Sequence, residues 1–336
     1  MKHALSAFTV AGVLSLIVAV SAFAQATADK PAAAQETAKP APPKTIVQKV
    51  RDAIAENDFA KAEKIVLDDM AEKGTTPIAI EAFSWLGRGL VAARRYDEAM
   101  TSAHRTYAIV EEQLKTRKLD DEARLPIALG ASIEVQGLVL AGQGNRSEAV
   151  LFLRRELETY KDTSLVERIN KNINLLNLEG TPAFPVESTE WIGTPGVSLA
   201  SLKGKPVMLY LWAHWCGDCK IFGPILEAAV NKYKGTGFTL IAPTKLYGYV
   251  AQRKPANAAE EMAYIKETRD KFYPWMSAHA IPVSEDVFTK YGVSTTPTLV
   301  FIDRAGNVSR FNPGRLSAEE LEPLIQAITA RLSSAR

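Results

Sequence analysis

The sequence predicts a multidomain protein, an all-α domain of helical hairpins followed by an α/β domain. Residues 45–179 carry helical apolar spacing with a turn signature that recurs three times. After Gly180-Thr181-Pro182 the pattern changes to short apolar strands alternating with helices, as in βαβ units. The only two cysteines of the 336 residues, Cys216 and Cys219, stand where one such strand gives way to a helix.

Composition bounds this reading. The length suits about two domains, and 47% hydrophobic residues suffice for a sizeable core. Forty basic residues against 38 acidic ones leave no charge excess that would suggest a nucleic-acid or membrane-surface partner.

The chain opens with Met1-Lys2-His3 and an apolar run from Ala4 to Val20, followed by Ala22-Phe23-Ala24 and Ala24-Gln25-Ala26. This reads as a bacterial secretory signal peptide over residues 1–26, placing the protein in the periplasm or outside the cell. An uncleaved membrane anchor is the alternative, because the run is only just long enough to span. Residues 27–44, rich in Ala and Pro, read as a disordered tether. Export sharpens the cysteine count. A structural framework in an oxidising compartment would use several pairs, whereas this chain has one close pair.

The helical half, residues 45–179, repeats at Asn57–Ala62, Arg94–Ala99 and Gly144–Ala149, each read as the turn and second-helix start of a hairpin. The alanine spacings are 37 and 50, irregular but near a two-helix unit, with the charged stretch Lys115–Arg124 lengthening the second connection. Leu165–Leu178 reads as a closing helix. Trp85-Leu86-Gly87 with Tyr96 and Ala99 resembles the tetratricopeptide repeat. Two roles stay open: a groove for a protein segment or for self-association, and a platform that positions the next domain.

In the second half, Phe184–Val186, Glu190–Ile192 and Val197–Leu199 suggest a small hairpin. Val207–Trp212 is apolar without alternation, as a strand buried on both faces would be. The helix after it places Ile221, Phe222, Ile225, Leu226, Ala229, Val230 and Tyr233 at helical spacing. Expected next are a parallel strand at Phe238–Ala242, a helix at Ala258–Phe272, Ile281–Ser284, a short helix around Val287–Tyr291, and the strand Thr298–Ile302. Val308–Phe311 is an edge strand, and Ser317–Glu320 opens the last helix with a capping box. A thiol at a helix N-terminus faces unpaired N–H groups and the positive end of the dipole, which favours its thiolate. The second sulfur lies within the opening turn. This is the chemistry of a reversible disulfide.

Over residues 181–332 the chain resembles the thioredoxin superfamily, most closely its TlpA-type exported thiol–disulfide oxidoreductases. The resemblance rests on Leu202-Lys203-Gly204-Lys205-Pro206, Trp215-Cys216-Gly217-Asp218-Cys219-Lys220, Pro224 and Thr295-Thr296-Pro297-Thr298. It implies a thioredoxin-like domain over residues 180–334, with Cys216 the exposed attacking thiol and Cys219 the buried resolving one. It further implies a cis Thr296–Pro297 bond, a substrate groove framed by Trp215, Thr296 and Pro297, and no cofactor beyond the Cys216–Cys219 disulfide. Two positions depart from cytosolic thioredoxins. Tyr210 stands where those often bury an acid, and Gly217-Asp218 separates the cysteines. The Asp218 charge opposes thiolate formation and so tunes the couple toward reducing potentials.

The segment 243–257 reads as a mobile solvent loop or, through Lys245, Tyr247, Tyr249, Arg253 and Lys254, as a rim that selects substrate. His214 reads as a surface or packing histidine. The function expected is an exported protein-disulfide reductase acting on protein thiols and disulfides, resupplied with electrons by a membrane thiol donor. The alternatives are a disulfide isomerase or oxidase, and a copper-binding thioredoxin-like chaperone using His214.

Overall fold

The computed structural model describes residues 43–194, 196 and 198–330. The expected signal peptide, and the tether up to residue 42, lie outside the described residues. The described chain is helical up to residue 177 and mixed α/β beyond it, the multidomain order expected from sequence.

The first half pairs α1 (Ile46–Ala55) with α2 (Phe59–Lys73), α3 (Pro77–Ala92) with α4 (Tyr96–Leu114), and α5 (Arg124–Gly142) with α6 (Arg146–Thr159). A closing helix α7 spans Val166–Asn177. The three recurring turns share one geometry. Asn57, Arg94 and Gly144 are left-handed, with φ of 60°, 58° and 92°. The N–H of the next residue reaches five residues back each time: Asp58 to Ala53, Arg95 to Leu90 and Asn145 to Leu140, all at 2.9 Å. These bonds satisfy carbonyls that the ending helix leaves open. The motif alanines Ala62, Ala99 and Ala149 are all fully buried, which is why no larger residue recurs there. Helix α5 is long and apolar enough to cross a membrane by length and composition, but most of it is buried as the centre of this domain.

The second half is built on β1 (Glu190–Gly193), β2 (Val207–Leu211), β3 (Thr239–Ile241), β4 (Ala280–Val283), β5 (Thr298–Ile302) and β6 (Val308–Pro313). They form one sheet in the order β1-β4-β3-β2-β5-β6. β2 runs parallel to β3, β3 to β4, and the other pairs are antiparallel. Every residue of β2 is buried, because the strand feeds two cores. Met208 and Tyr210 join α8 (Gly217–Tyr233) and α11 (Ala318–Thr329) on one face, while Val207, Leu209 and Leu211 join α10 (Glu285–Tyr291) on the other. α9 spans Ala258–Phe272 as expected, and the Ser317–Glu320 capping box forms.

Among the described residues the small hairpin expected around 184–199 does not form: only Glu190–Gly193 is a strand there, and it pairs with β4 instead. Pro185 supplies no N–H to a ladder. Its neighbours bury their side chains: Phe184 stands edge-on to Tyr291 at 5.2 Å, and Val186 joins the α10 core.

The two halves meet through α7 and α10. Asn170 and Asn174, one turn apart on α7, donate from Nδ2 to the carbonyls of Thr289 and Lys290, each at 3.0 Å. These carbonyls lie in the last turn of α10, where helix carbonyls run short of partners; that of Thr289 also accepts the Gly292 N–H at 3.1 Å. Gly292 caps α10 at φ +65°, and a Cβ there would collide with the backbone nitrogen of Lys171. Leu178, at the end of α7, sits inside the α/β core with Val287 and Phe288. Gly292→Ala is therefore expected to destabilise by more than the ~1–2 kcal/mol of a left-handed alanine. Gly306→Ala, at φ +89° with open space around it, should show that backbone cost alone. Urea midpoints of the two variants measure the difference, which is the clash between α7 and α10.

Candidate active site

β2 ends at Leu211 and α8 begins at Gly217, so the turn between them carries Trp215 and Cys216 to the helix start. Cys216 is the N-cap of α8: its backbone is extended (φ −71°, ψ 114°), and its Sγ accepts the N–H of Cys219 at 3.0 Å. Sulfur here takes the place of the oxygen that usually satisfies this orphan donor. Cys216 and Cys219 are joined as a disulfide, with Cα atoms 5.3 Å apart. In the reduced protein the same N–H and the positive end of α8 would face the Cys216 thiolate and stabilise it.

The loop before β5 closes over this disulfide. The Thr296–Pro297 bond is cis, as the resemblance implied, and the Thr296 carbonyl oxygen lies 3.3 Å from Cys216 Sγ. The expectation of an exposed Cys216 is corrected here. Cys216 is 2% exposed in the disulfide state and Cys219 is fully buried. The cover comes from a segment 80 residues downstream, which local sequence could not place. Trp215, 47% exposed, marks the open side, its ring edge-on to Tyr247 at 5.4 Å.

Asp218, in the first turn of α8, is half exposed, with its Oδ1 3.4 Å from Arg315 Nε. Tyr210, in the position that lacks the buried acid, donates its hydroxyl to the Cys219 carbonyl at 3.2 Å. Burial pushes its pKa well above the usual tyrosine range, so it stays a donor.

The sequence reading missed a buried carboxylate. Glu261 on α9 is 1% exposed, and its Oε1 lies 3.0 Å from Nε2 of His214, itself fully buried. The two oxygens of Glu261 also accept the N–H groups of Tyr247 and Gly248, at 2.6 and 2.7 Å. Tyr247, Tyr249 and Tyr264 stand edge-on around the imidazole. Of the two expected alternatives His214 is therefore the packing histidine, with Nε2 taken by Glu261 and Nδ1 buried without a hydrogen-bond partner. The available signal was that Glu261 shares one helical face with the buried Ile265 and Thr268.

These bonds overturn the mobile reading of segment 243–257. Besides Glu261, the loop is held by Thr244 Oγ1 donating to the Trp212 carbonyl at 2.9 Å. A short hairpin pairs Tyr249 with Pro255. At its tip Gln252 and Arg253 are both left-handed, with φ of 56° and 59°. The loop places Tyr247 beside Trp215, while Arg253 lies over the Tyr249 ring at 5.7 Å.

A thioredoxin-like sheet with a Cys-x-x-Cys disulfide at a helix N-terminus, facing a cis-proline loop, defines a dithiol–disulfide redox protein. The model of the thioredoxin-like domain family matches residues 197–329. The thiol-disulfide oxidoreductase ResA of Bacillus cereus is 31% identical over 137 residues, 40% of this chain and 69% of its own. ResA of Oceanobacillus iheyensis is 26% identical, covering 45% of this chain and 71% of its own. The thiol:disulfide interchange protein DsbE of Xylella fastidiosa is 24% identical, covering 46% and 70%. The chain belongs to the thioredoxin-like thiol–disulfide oxidoreductases.

Burial lowers the pKa of His214, with Glu261 opposing and Lys220 adding to the drop. The unfolded chain therefore takes up this proton first as pH falls from about 6.5, and stability is lost over that range. His214→Gln lacks this contribution. The urea-midpoint gap between wild type and His214→Gln should narrow between about pH 7.5 and 5.5. His279, also lowered by burial, acts equally in both proteins and cancels.

Proposed function

We propose that this protein is an exported protein-disulfide reductase. The observation that carries the reading is the Cys219 N–H aimed at Cys216 Sγ, in a chain with no other cysteines. The Cys216 thiolate attacks one sulfur of a substrate disulfide. The substrate S–S bond breaks, one substrate thiolate leaves and takes a proton from water, and a mixed disulfide forms. Cys219, deprotonated, then attacks Cys216 Sγ and expels the second substrate thiolate. Two electrons have passed to the substrate, leaving the Cys216–Cys219 disulfide. Trp215, Thr296 and Pro297 frame the groove, with the Thr296 carbonyl beside the reacting sulfur.

The apolar N-terminus supports export to the periplasm or beyond, where a membrane thiol donor would restore the dithiol. The proposed organisation is a signal peptide at 1–26, a tether at 27–44, a tetratricopeptide-like domain at 45–179 and a TlpA-type domain at 180–334. The helical domain is assigned to protein–protein contact. The full burial of His214 among the rings of Tyr247, Tyr249 and Tyr264 tells against copper delivery.

The reduction potential decides direction. A couple near −250 mV or below fits a reductase, whereas about −120 to −180 mV fits an oxidase or isomerase. Asp218→Asn removes a charge that opposes the thiolate, so it should raise the potential. The exposed Arg315 partner limits the effect to about 5–20 mV, corresponding to roughly 0.2–1 kcal/mol. Glutathione equilibration measures both, and a lower potential in Asp218→Asn would contradict the tuning role. Cys216→Ser should abolish turnover, while Cys219→Ser should accumulate the mixed disulfide, visible as a mass adduct that dithiothreitol removes.

A further inference from the structure

The loop beside the disulfide is tied to the helical domain by one buried cation. Lys245, its side chain 12% exposed, donates from Nζ to Glu167 of α7 at 2.6 Å and to Glu285 of α10 at 2.8 Å. Burial alone would lower the pKa of Lys245, but the two carboxylates outweigh it and hold the value above its usual range. Glu167 faces only this cation, and there burial wins and raises the carboxyl. Lys245 Nζ also lies over the ring of Tyr247 at 5.4 Å, and Tyr247 is the residue that stands edge-on to Trp215. From the other side Glu261 takes the N–H groups of Tyr247 and Gly248 and holds His214, the neighbour of Trp215.

We propose that Glu167, Lys245 and Glu261 are positioning residues that fix Tyr247 against Trp215 as one wall of the substrate groove, so that the helical domain helps to build the site where protein substrates bind. The inference rests on the oxidoreductase reading and deepens it. The wall is aromatic (Trp215, Tyr247, Tyr249) with Arg253 at its tip, so it suits a polypeptide carrying an apolar or aromatic side chain next to its disulfide. A small disulfide, with no flanking chain, depends less on this wall than a polypeptide does. The loop pays for its shape with two consecutive left-handed side-chain-bearing residues, Gln252 and Arg253, which anchors at both ends make tolerable.

The test compares Glu167→Gln with wild type in the full chain. Reduced insulin chains would be followed as the product from a protein disulfide, and bis(2-hydroxyethyl) disulfide would serve as the small substrate. Glu167→Gln should raise the KM for insulin by about tenfold, the scale of one charge-assisted hydrogen bond. The small-disulfide rate and the equilibrium constant with glutathione should each change by less than twofold. Lys245→Met should raise the insulin KM similarly, and Lys245→Arg, which keeps the cation, should restore it. Hydrogen exchange should quicken at residues 245–256 in Glu167→Gln, a readout that needs no turnover. An unchanged insulin KM, an equal loss on both substrates, or unaltered exchange in this loop would each overturn the proposal. A wild-type protein that reduced neither disulfide would instead count against the oxidoreductase reading, while the exchange measurement would still judge the anchoring.

Discussion

The N–H of Cys219 donating to Cys216 Sγ is the interaction on which the rest of the second domain depends. A helix starts with donors that nothing inside it can satisfy, and here the first-turn donor is met by a sulfur. This arrangement needs a strand that ends at a fixed point and a helix that begins six residues later. β2 meets the first demand by being buried along its whole length between two cores. Tyr210 meets part of the second, because its hydroxyl holds the Cys219 carbonyl from the strand beneath. Both backbone groups of Cys219 are thus held, and the sulfur it must reach is held with them.

Two carboxylates lie within a few residues of the cysteines or their loop, and their environments separate their roles. Asp218 is exposed and 3.4 Å from an exposed Arg315, a pair worth at most about 1 kcal/mol. It can shift a thiolate equilibrium without affecting the fold. Glu261 is buried, and its partners are His214 and two backbone N–H groups. Removing a buried partner of this kind leaves unsatisfied donors, each costing about 1–3 kcal/mol. The proposed tuning role falls to Asp218, and the structural one to Glu261.

This difference also explains what was legible in the sequence. The buried run Val207–Leu211, the bounds of α9, the Ser317–Glu320 cap and the three helical turns are set by residues close together in the chain. So is the Cys216–Cys219 junction. The pairing of His214 with Glu261 spans 47 residues, and the Thr296 cover over Cys216 spans 80. No local pattern encodes either, so nothing in the sequence corrected the exposed Cys216 that the resemblance implied, and His214 stayed open between a surface and a packing residue. The loop 243–257 failed for a related reason. Its polar and aromatic composition suits solvent, and only the carboxylate on α9 and the cation on its own stem convert it into a fixed wall. Phe184–Val186 shows the opposite error. Its side chains suit a strand, but Pro185 denies the ladder a donor and α10 offers the side chains a better burial.

Helix α7 connects these arguments. On one side Glu134 of α5 accepts from Arg168 and Lys171, at 3.1 and 2.9 Å. Burial works against the charge on Glu134, yet the two cations outweigh it and hold its pKa at about 2. On the other side Asn170 and Asn174 close the end of α10, and Gly292 allows backbone-to-backbone approach. Glu167, on the same helix, reaches Lys245 at the base of the aromatic wall. A helix clamped by ions on one face and by close backbone packing on the other has little freedom to tilt. The carboxylate it presents to Lys245 is correspondingly well placed. An anchor for a loop has to be stiffer than the loop it holds, and α7 meets that condition through contacts in both halves of the chain.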